Sequence, residues 1–380
     1  MKIGKFKVNH YINYMVIGLL TIVLGGISLA GGKFDNSLLF LLEKIAISMI
    51  LAVSLSLLVG FLGELSLGHA GFMCVGAFIG GKLSTILTEA GTMGEIPVLL
   101  ICVVIGGLAA AVCGIIIGLP ALRLRGDYLA IVTLAFGEIV RSLFRNAPES
   151  LFGGNLGIRT PRYDRNELFL IGFALVLVTV VVIKNLIRSK HGRAVTSVRD
   201  SEIAARACGI NVTKYKLLVF TVSAFFAGVA GVLYSYSNYQ VSSAKFDYNY
   251  SIEILVMVVL GGMGKLGGSL IAAAAITWLS NQLQLKLTGD LAVLKDLLYA
   301  LILILLVVYN NAPALKNLRE KLSIRNLMVR IRKKHDPSKV HDDDAKWDRI
   351  PTKIMVDEVL SVDVQVKSPY TPDKAKKEDK

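Results

Sequence analysis

Several long stretches of this chain carry no charged residue, and they constrain the fold more than any other feature of the sequence. They occupy residues 14–30, 96–120 and 168–183. A helix needs about 20 consecutive apolar residues to cross the hydrocarbon core of a bilayer, and these runs approach or exceed that length. Only 18% of all residues are charged, whereas soluble domains have about a quarter. The sequence therefore predicts an all-α polytopic integral membrane protein.

Ten apolar segments are candidate membrane spans. They cover residues 11–30, 38–61, 65–87, 96–119, 128–144, 168–187, 217–236, 252–260, 269–283 and 291–309. Because the segments at 252–260 and 269–283 are short, we expect about eight to ten transmembrane helices, with some broken or re-entrant segments. The first segment follows a basic leader, but it is too long for a secretory signal and no cleavage site leads into a soluble domain, which favours a retained span.

Lysine and arginine residues are concentrated in an N-terminal arm at 1–10, a loop at 188–216 and the region that follows the last span. Cytoplasmic loops carry such an excess, so all three are expected on the cytoplasmic side. This places both termini in the cytoplasm, with a transmembrane domain at 11–310 and a largely disordered charged tail at 311–380. The same count of crossings puts residues 145–167 outside, despite their arginines. The net charge of +14 needs no nucleic-acid partner, because membrane lipid and the positive-inside bias account for it.

Two apolar regions are interrupted by glycine and polar residues, and the first interruption reads GELSLGHAGF at 63–72. Non-helical backbone at membrane depth is tolerated only where protein buries it or a wet cavity adjoins it. Interrupted segments in two parts of a transporter are the best sequence pointer to its binding site. The first interruption therefore predicts a substrate pathway, with a tight surface turn as the alternative. The candidate pathway residues are Glu64, Ser66, Gly68, His69 and Phe72.

The second interruption, VVLGGMGKLGGSLIAAAA at 258–275, contains Lys265, which favours a cytoplasmic turn between two helices. In the first interruption, Ser66 and His69 are three residues apart and would share one face of a helix. An intramembrane Ser/His hydrolase is therefore a further alternative.

Charged residues also occur within the predicted spans. Glu43 and Lys44 are adjacent near the start of a span, which indicates an interfacial position. Glu138 and Arg141 are three residues apart, so we expect them to form an ion pair on one face of a helix.

The loop at 188–216 contains SVRDSEIAARACGIN (197–211), which predicts a short amphipathic helix. Ser197 or Asp200 can cap its N-terminus, and Gly209 supplies a left-handed stop. The expected apolar side consists of Val198, Ile203, Ala204 and Ala207. Such a helix can enter a groove on another protein or lie on the bilayer surface.

Three stretches of the sequence resemble the permease subunits of ABC importers, in particular the M-type subunits of the high-affinity leucine, isoleucine and valine systems. They are GELSLGHAGFMCVGAF (63–78), RGDYLAIVTLAFGEIVR (125–141), and HGRAVTSVRDSEIAARACGI (191–210) followed by KLLVFTVSAFFAGVAGVLY. GGNLGI at 153–158 and SIEILVMVVLGGMGKLGGSLIAA at 251–273 also fit. The resemblance runs in consistent order from about residue 38 to residue 309.

The resemblance implies an ABC importer permease fold in the bacterial plasma membrane and transport of branched-chain amino acids by alternating access. The implied partners are a second homologous permease subunit, two cytoplasmic ATP-binding subunits and an extracytoplasmic amino acid binding protein. The chain itself would be no enzyme and would bind no cofactor. Since it contains no G-x-x-x-x-G-K-[ST] loop, ATP and Mg²⁺ are expected on the partner subunits.

The resemblance also implies that residues 201–209 form the coupling helix that docks on an ATP-binding subunit. The implied docking residues are Arg199, Asp200, Ser201, Glu202, Ala204, Ala205, Gly209 and Ile210. The importer pattern E-A-A-x-x-x-G matches at Ala204, Ala205 and Gly209. The acidic residue, Glu202, stands one position early, and Ile203 occupies the expected site.

Two other readings of the transport function remain open. Related permeases of the same class move urea, short amides or simple sugars, and the motifs separate these substrates poorly. An ion-coupled secondary transporter would also have broken helices, but it more usually shows a cluster of coordinating carboxylates and needs no docking loop.

Overall fold

The computed structural model describes residues 35–91, 94–122, 124, 126–286, 301 and 304. Its helices are α1 (Asn36–Ser56), α2 (His69–Glu89), α3 (Glu95–Ala121), α4 (Asp127–Arg145), α5 (Glu149–Phe152), α6 (Arg165–Arg188), α7 (Lys190–Asp200), α8 (Glu202–Ala207), α9 (Val212–Asn238), α10 (Tyr248–Gly261) and α11 (Leu266–Lys286). Two short strands, β1 (Ile158–Arg159) and β2 (Gln240–Val241), pair antiparallel. The predicted arm, first span and tail lie outside the described residues, as does the last span apart from Leu301 and Ile304.

Five helices in the described part of the chain are long and apolar enough to cross a membrane: α2, α3, α6, α9, and α1 with its continuation to Leu62. They confirm an all-α polytopic membrane protein. Helices also form at the predicted spans 128–144, 252–260 and 269–283, but α4, α10 and α11 are not in this set. In α4 the expected ion pair is present, with Arg141 Nη1 2.9 Å from Glu138 Oε2.

Helices α3 and α9 approach each other through small residues. Gly106, Ala110, Gly114 and Gly118 recur every four residues and form one buried face of α3. A methyl group on Gly228 of α9 would lie 2.5 Å from the Ala110 Cβ and 2.8 Å from the Gly106 carbonyl oxygen. Small residues at this spacing allow helix backbones to come close in a membrane. The glycine and alanine residues at 224–231 thus let α9 pack closely on its neighbours.

Helix α1 lies at the centre of the described bundle, whereas α3 and α6 are peripheral. In the most apolar part of each helix, 83% of the residues are buried in α1, compared with 39% in α3 and 33% in α6. Helix α1 packs against α6, α9 and α11. The outer face of α3 carries large aliphatic side chains, which include Leu108, Val112 and Ile116. Such a face is suited to lipid or to another apolar helix.

The two ends of helices α6 and α9 define two opposite ends of the bundle. Residues 188–216 connect the C-terminus of α6 to the start of α9, so they lie at one end. Strand β1 precedes α6 and strand β2 follows α9, so the β1–β2 pair marks the opposite end. Residues 145–167 therefore lie at the opposite end from 188–216, as the count of crossings requires.

The side chain of Glu43 has partners that the sequence did not indicate. Its side chain is buried between helices and accepts a hydrogen bond of 2.5 Å from Ser237 Oγ of α9. Arg165 Nη1 lies 3.7 Å from the same carboxylate oxygen. Adjacent residues on a helix point in different directions, so one face of α1 can bury Glu43 while Lys44 is only partly covered.

Candidate functional site

The first interruption begins as a widened helical turn at the end of α1. Residues Leu57–Leu62 are π-helical, and the Glu64 N–H donates to the Leu58 carbonyl at 3.3 Å. Gly63 follows with a φ of +79°, a left-handed conformation that suits a residue without Cβ. The chain then has no helix until His69, where α2 begins. Because π-helical turns within α-helices are frequent at functional sites, this end of α1 is a candidate site.

Hydroxyl groups from two other helices pair with backbone N–H groups of the break and of the first turn of α2. The Leu67 N–H donates to Thr133 Oγ1 of α4 at 3.0 Å, and the Ala70 N–H donates to Ser251 Oγ of α10 at 3.1 Å. Both hydroxyls are buried. Unpaired backbone groups at membrane depth would each cost several kcal/mol, so these two bonds explain how the break is tolerated.

The predicted pathway residues lie within the helix packing. His69 Nε2 lies 2.8 Å from Ser54 Oγ of α1, while Ser66 Oγ and His69 Nδ1 are buried without a hydrogen-bond partner in the described part of the chain. A Ser/His hydrolase needs its nucleophile within hydrogen-bond reach of its base. Ser66 and His69 do not form that bond here.

Gly68 and Phe72 contribute close packing beside these polar groups. A methyl group on Gly68 would lie 2.5 Å from the Thr133 carbonyl oxygen. The Phe72 ring centroid lies 5.1 Å from that of Phe136 and 5.5 Å from that of Phe220. These contacts fix α2 against α4 and α9. A role of the five residues in a substrate pathway stays a prediction.

The two interruptions meet in space. The second forms the turn between α10 and α11, where Gly262 and Gly264 have φ values of +90° and +79°. A methyl group on Gly60, in the π-helical turn, would collide with the Gly264 backbone nitrogen and lie 2.9 Å from its Cα. The turn expected around Lys265 is confirmed, and it packs directly on the end of α1.

Arg199, the next-to-last residue of α7, reaches the same point from the loop at 188–216. Its Nη1 donates to the Gly60 carbonyl at 3.3 Å. A methyl group on Gly63 would lie 2.7 Å from Arg199 Cγ, so the arginine stem lies across the break. Asp200 Oδ1 accepts bonds of 3.0 and 2.9 Å from Arg199 Nε and Nη2, which orients the guanidinium.

A second link joins the loop to the break through buried charges. Lys216 of α9 is only 3% exposed, and its ammonium lies 2.5 Å from Glu64 Oε1 and 3.6 Å from Glu202 Oε2. Glu202 also accepts a hydrogen bond of 2.7 Å from Arg206 on the following turn. Buried charges need such partners, because their desolvation is costly. The first residue of α8 is thus connected through Lys216 to the segment before α2.

The amphipathic helix predicted at 197–211 is in fact divided between α7 and α8, and α8 lies within the coupling helix expected at 201–209. Ser201 has a φ of −161°, which ends α7 and starts α8, and its Oγ accepts from the Ala204 N–H at 3.3 Å. The caps expected at Ser197 and Asp200 are therefore wrong, because both residues lie inside α7. Serine is a favourable residue at a helix N-terminus, because its hydroxyl can accept from the N–H three residues later. The serine at position 201 is the local signal for the boundary between α7 and α8.

The expected apolar side is also wrong in part, since it assumed one uninterrupted helix. Val198 and Ala205 are buried, whereas Ile203 is 78% exposed, and Ala204 and Ala207 are exposed as well. Ile203 and the predicted docking residue Ala204 thus form a small exposed surface on α8, and docking there stays a prediction.

The end of α8 agrees with the sequence. Gly209 adopts a φ of +80°, which confirms the left-handed stop. Its N–H donates to the Arg206 carbonyl, and the Ile210 N–H donates to the Ala205 carbonyl, both at 3.0 Å. These bonds satisfy carbonyl groups that a helix end leaves free.

Sequence reasoning missed the partners of Glu64 and Gly60. A carboxylate inside an apolar region implies a cation nearby, and Lys216 at the start of an apolar helix is a plausible signal for it. The reach of Arg199 to Gly60 depends on how α7 folds back on α1, and no local pattern encodes that.

Comparison with known proteins relates the chain to transport permeases. The family described as "Branched-chain amino acid transport system / permease component" matches residues 37–307. The chain is 34% identical, over 74% of its length and 70% of the relative's, to the high-affinity branched-chain amino acid transport system permease protein LivM of Escherichia coli (strain K12). Over 61% of this chain and 67% of the relative, it is 25% identical to a probable LivM of Methanocaldococcus jannaschii.

A more distant similarity extends to sugar permeases. The chain is 26% identical, over 75% of its length and 88% of the relative's, to the ribose import permease protein RbsC of Haemophilus influenzae. No solved structure matches the chain.

Proposed function

Because this chain belongs to the family of branched-chain amino acid transport system permease components, we propose that it is the permease subunit of an ATP-binding cassette importer. Its cargo is leucine, isoleucine or valine, and it works in a bacterial plasma membrane beside a second, homologous permease. Two cytoplasmic ATP-binding subunits supply the energy, and an extracytoplasmic binding protein delivers the amino acid. The similarity to LivM supports this choice of cargo.

The double link between the loop at 188–216 and the break after α1 carries this proposal. An ATP-binding subunit docks on the exposed surface of α8 around Ile203. When the two ATP-binding subunits close, they displace α7 and α8. Arg199 transmits the displacement to Gly60, and Glu202 transmits it through Lys216 to Glu64. Both contacts end where α1 and α2 are separated by non-helical backbone, so the two helices can change their relative angle there.

The substitution Ile203→Glu tests the docking surface. It places a charge on an exposed apolar side chain, so the fold is retained while an apolar interface is disrupted. We expect the ATP-binding subunits to be lost from the purified complex while membrane insertion is unchanged. Leu156→Glu is the matched control, because Leu156 is 74% exposed in the loop at the opposite end of the bundle. Normal copurification of the ATP-binding subunits with the Ile203→Glu chain would contradict the proposal.

A second candidate cargo is a simple sugar, and the similarity to ribose permeases supports it. Uptake of labelled leucine and of labelled ribose into vesicles that contain the complete importer distinguishes the two. The proposed function requires ATP-dependent uptake of leucine, and ribose should not compete with leucine for this uptake.

A further inference from the structure

A cavity of about 290 Å³ lies between α1, α9, α10 and α11. Ligand cavities for drug-sized molecules start at about 300 Å³, so this one is suited to a smaller solute. It is separate from the break after α1, because none of Glu64, Ser66, Gly68, His69 and Phe72 lines it. The proposed transmission from α8 to the break does not involve this cavity.

The cavity lies at the end of the bundle opposite α8. Tyr234 and Asn238 line it from the C-terminal part of α9, whereas Lys216 is near the N-terminus of that helix. At about 1.5 Å per residue, Tyr234 and Lys216 are about 27 Å apart along the helix axis. In the proposed orientation, a solute reaches the cavity from the extracytoplasmic side.

The charged residues of the cavity wall do not require a charged ligand. They are Lys44, Lys245 and Glu253. Lys44 and Glu253 each have an interaction partner within the protein, and the Lys44 ammonium lies 4.2 Å from the centroid of the Phe40 ring. Lys245 is exposed, so water can solvate its ammonium. A charged group on a ligand would have to replace these partners, which removes the main gain from pairing.

The other hydrogen-bonding groups of the wall are neutral, and one of them lacks a partner. Thr277 of α11 is only 8% exposed, and its Oγ1 makes no hydrogen bond in the described part of the chain. Buried hydroxyls are nearly always paired, so an unpaired one in a cavity wall indicates a group that a ligand or water satisfies.

Further hydroxyl and amide groups line the cavity beside Thr277. Ser48 of α1 contributes a buried hydroxyl, while Ser280 and Asn281 of α11 contribute a second hydroxyl and an amide. Hydroxyl and amide groups can both donate and accept hydrogen bonds, whereas a carboxylate only accepts and an ammonium only donates. Such a wall is suited to the alcohol groups of a ligand, which also donate and accept.

Aromatic rings from α9 and from the segment before α10 complete the wall. The Tyr234 and Phe246 ring centroids lie 5.4 Å apart, and both residues line the cavity. Aromatic rings offer a large apolar surface, and a tyrosine adds a hydroxyl at its tip. A compact neutral solute with several hydroxyl groups and an apolar carbon face matches this combination.

We propose that this cavity is a binding site for a neutral polyhydroxylated solute of the size of a monosaccharide. The hydroxyl groups of the solute pair with Thr277, Ser48 and Asn281. Its carbon face packs on Tyr234 and Phe246. Thr277 Oγ1 then gains a hydrogen-bond partner. Such a ligand goes beyond the proposed function, because it is distinct from leucine, isoleucine and valine and binds away from the break after α1.

Equilibrium binding to the purified full-length chain in lipid nanodiscs tests the site, with labelled ribose and labelled glucose as the probes. For the unmodified chain we expect saturable binding of at least one sugar, and leucine should not displace it. The affinity should be the same at low and at high ionic strength, because a neutral ligand forms no ion pair that salt can screen.

The substitution Thr277→Val keeps the shape of the side chain but removes its hydroxyl. We expect the sugar to bind about fivefold more weakly, equivalent to about 1 kcal/mol. Thr179→Val is the matched control, because Thr179 is a buried threonine of α6 that does not line the cavity. Asn281→Leu removes a partly exposed amide from the same wall, and it should weaken binding even if Thr277→Val fails to fold.

The site is rejected if the unmodified chain binds neither sugar, or if Thr277→Val and Asn281→Leu bind the sugar as tightly as Thr179→Val. Displacement of the sugar by leucine would also reject it, because the cavity would then receive a zwitterion. ATP-driven leucine uptake by the complete importer is measured in parallel. Leucine uptake without sugar binding would leave the proposed function standing. Sugar binding that the variants weaken, without leucine uptake, would support the site and reject the proposed function.

Discussion

The Lys216 ammonium lies 2.5 Å from the Glu64 carboxylate and joins the N-terminal part of α9 to the break between α1 and α2. These residues are far apart in sequence, and each lies in an apolar region where an isolated charge would be costly. Glu202 lies 3.6 Å from the same ammonium on its other side. One buried cation thus connects the exposed α8 surface to the transmembrane bundle.

Replacing Lys216 by Met should destabilise the protein by about 3 kcal/mol, because it leaves Glu64 poorly solvated and without its cation. Thermal unfolding of the purified chain in detergent measures this loss. Lys214→Met is the control, since Lys214 is exposed two residues away. Adding Glu64→Gln to Lys216→Met should recover part of the loss, because it removes the uncompensated charge. Equal unfolding temperatures for Lys216→Met and Lys214→Met would show that the pair does not matter for stability.

Replacing Arg199 by Lys should uncouple ATP hydrolysis from transport. The positive charge remains, but the bond from the guanidinium to the Gly60 carbonyl is lost, along with the fork that holds Asp200. Copurification of ATP-binding subunits should be unchanged. The number of amino acid molecules transported per ATP hydrolysed should fall about fivefold, because the lost bond is worth about 1 kcal/mol. Arg193→Lys is the control on the exposed side of α7. An unchanged transport-to-hydrolysis ratio in Arg199→Lys would refute this route of transmission.

Replacing Gly60 by Ala should push the α10–α11 turn away from α1. The added methyl would collide with the Gly264 backbone, which cannot rotate away as a side chain can. Overpacking of this kind costs about 1–3 kcal/mol, seen as a lower unfolding temperature. Gly172→Ala provides the comparison, because a methyl group there would meet only the Ala46 Cβ, at 3.4 Å. If both variants unfold alike, Gly60 does not contact the Gly264 backbone.

Replacing Ser251 by Ala should weaken the start of α2. The Ala70 N–H would lose its partner in a buried setting, at a cost of about 1–3 kcal/mol. Hydrogen exchange at the start of α2 should quicken, and the unfolding temperature should fall. The exposed Ser150→Ala provides the baseline. Unchanged exchange at Ala70 would mean that another group satisfies this N–H.

The elements that depend on local chemistry were predictable from the sequence. The apolar runs predicted helices α1, α2, α3, α6 and α9, and the glycine in the loop predicted the left-handed end of α8. Because Glu138 lies three residues before Arg141 in the sequence, their ion pair was predictable as well. In each case the interacting residues lie within one helix or one turn, so their spacing determines their contact.

The relations between distant segments were not predictable in the same way. Glu43 was expected near a membrane interface, but nothing in the sequence indicated that Ser237 and Arg165 from two other helices would contact it. The meeting of Gly60 with Gly264 depends on the packing of α1 against α10 and α11. Likewise, Ser201 interrupts the amphipathic helix predicted at 197–211, where Val198 of α7 is buried and Ile203 of α8 is exposed. Such arrangements follow from tertiary contacts that no single stretch of sequence contains.

The glycine-mediated approach of α3 to α9 has a mechanical consequence. Where two backbones touch without a layer of side chains between them, neither helix can slide past the other without losing the contact entirely. Helices α3 and α9 are therefore expected to travel as a single stiff block. Changes of shape must then arise where non-helical backbone permits them, in the segment between α1 and α2.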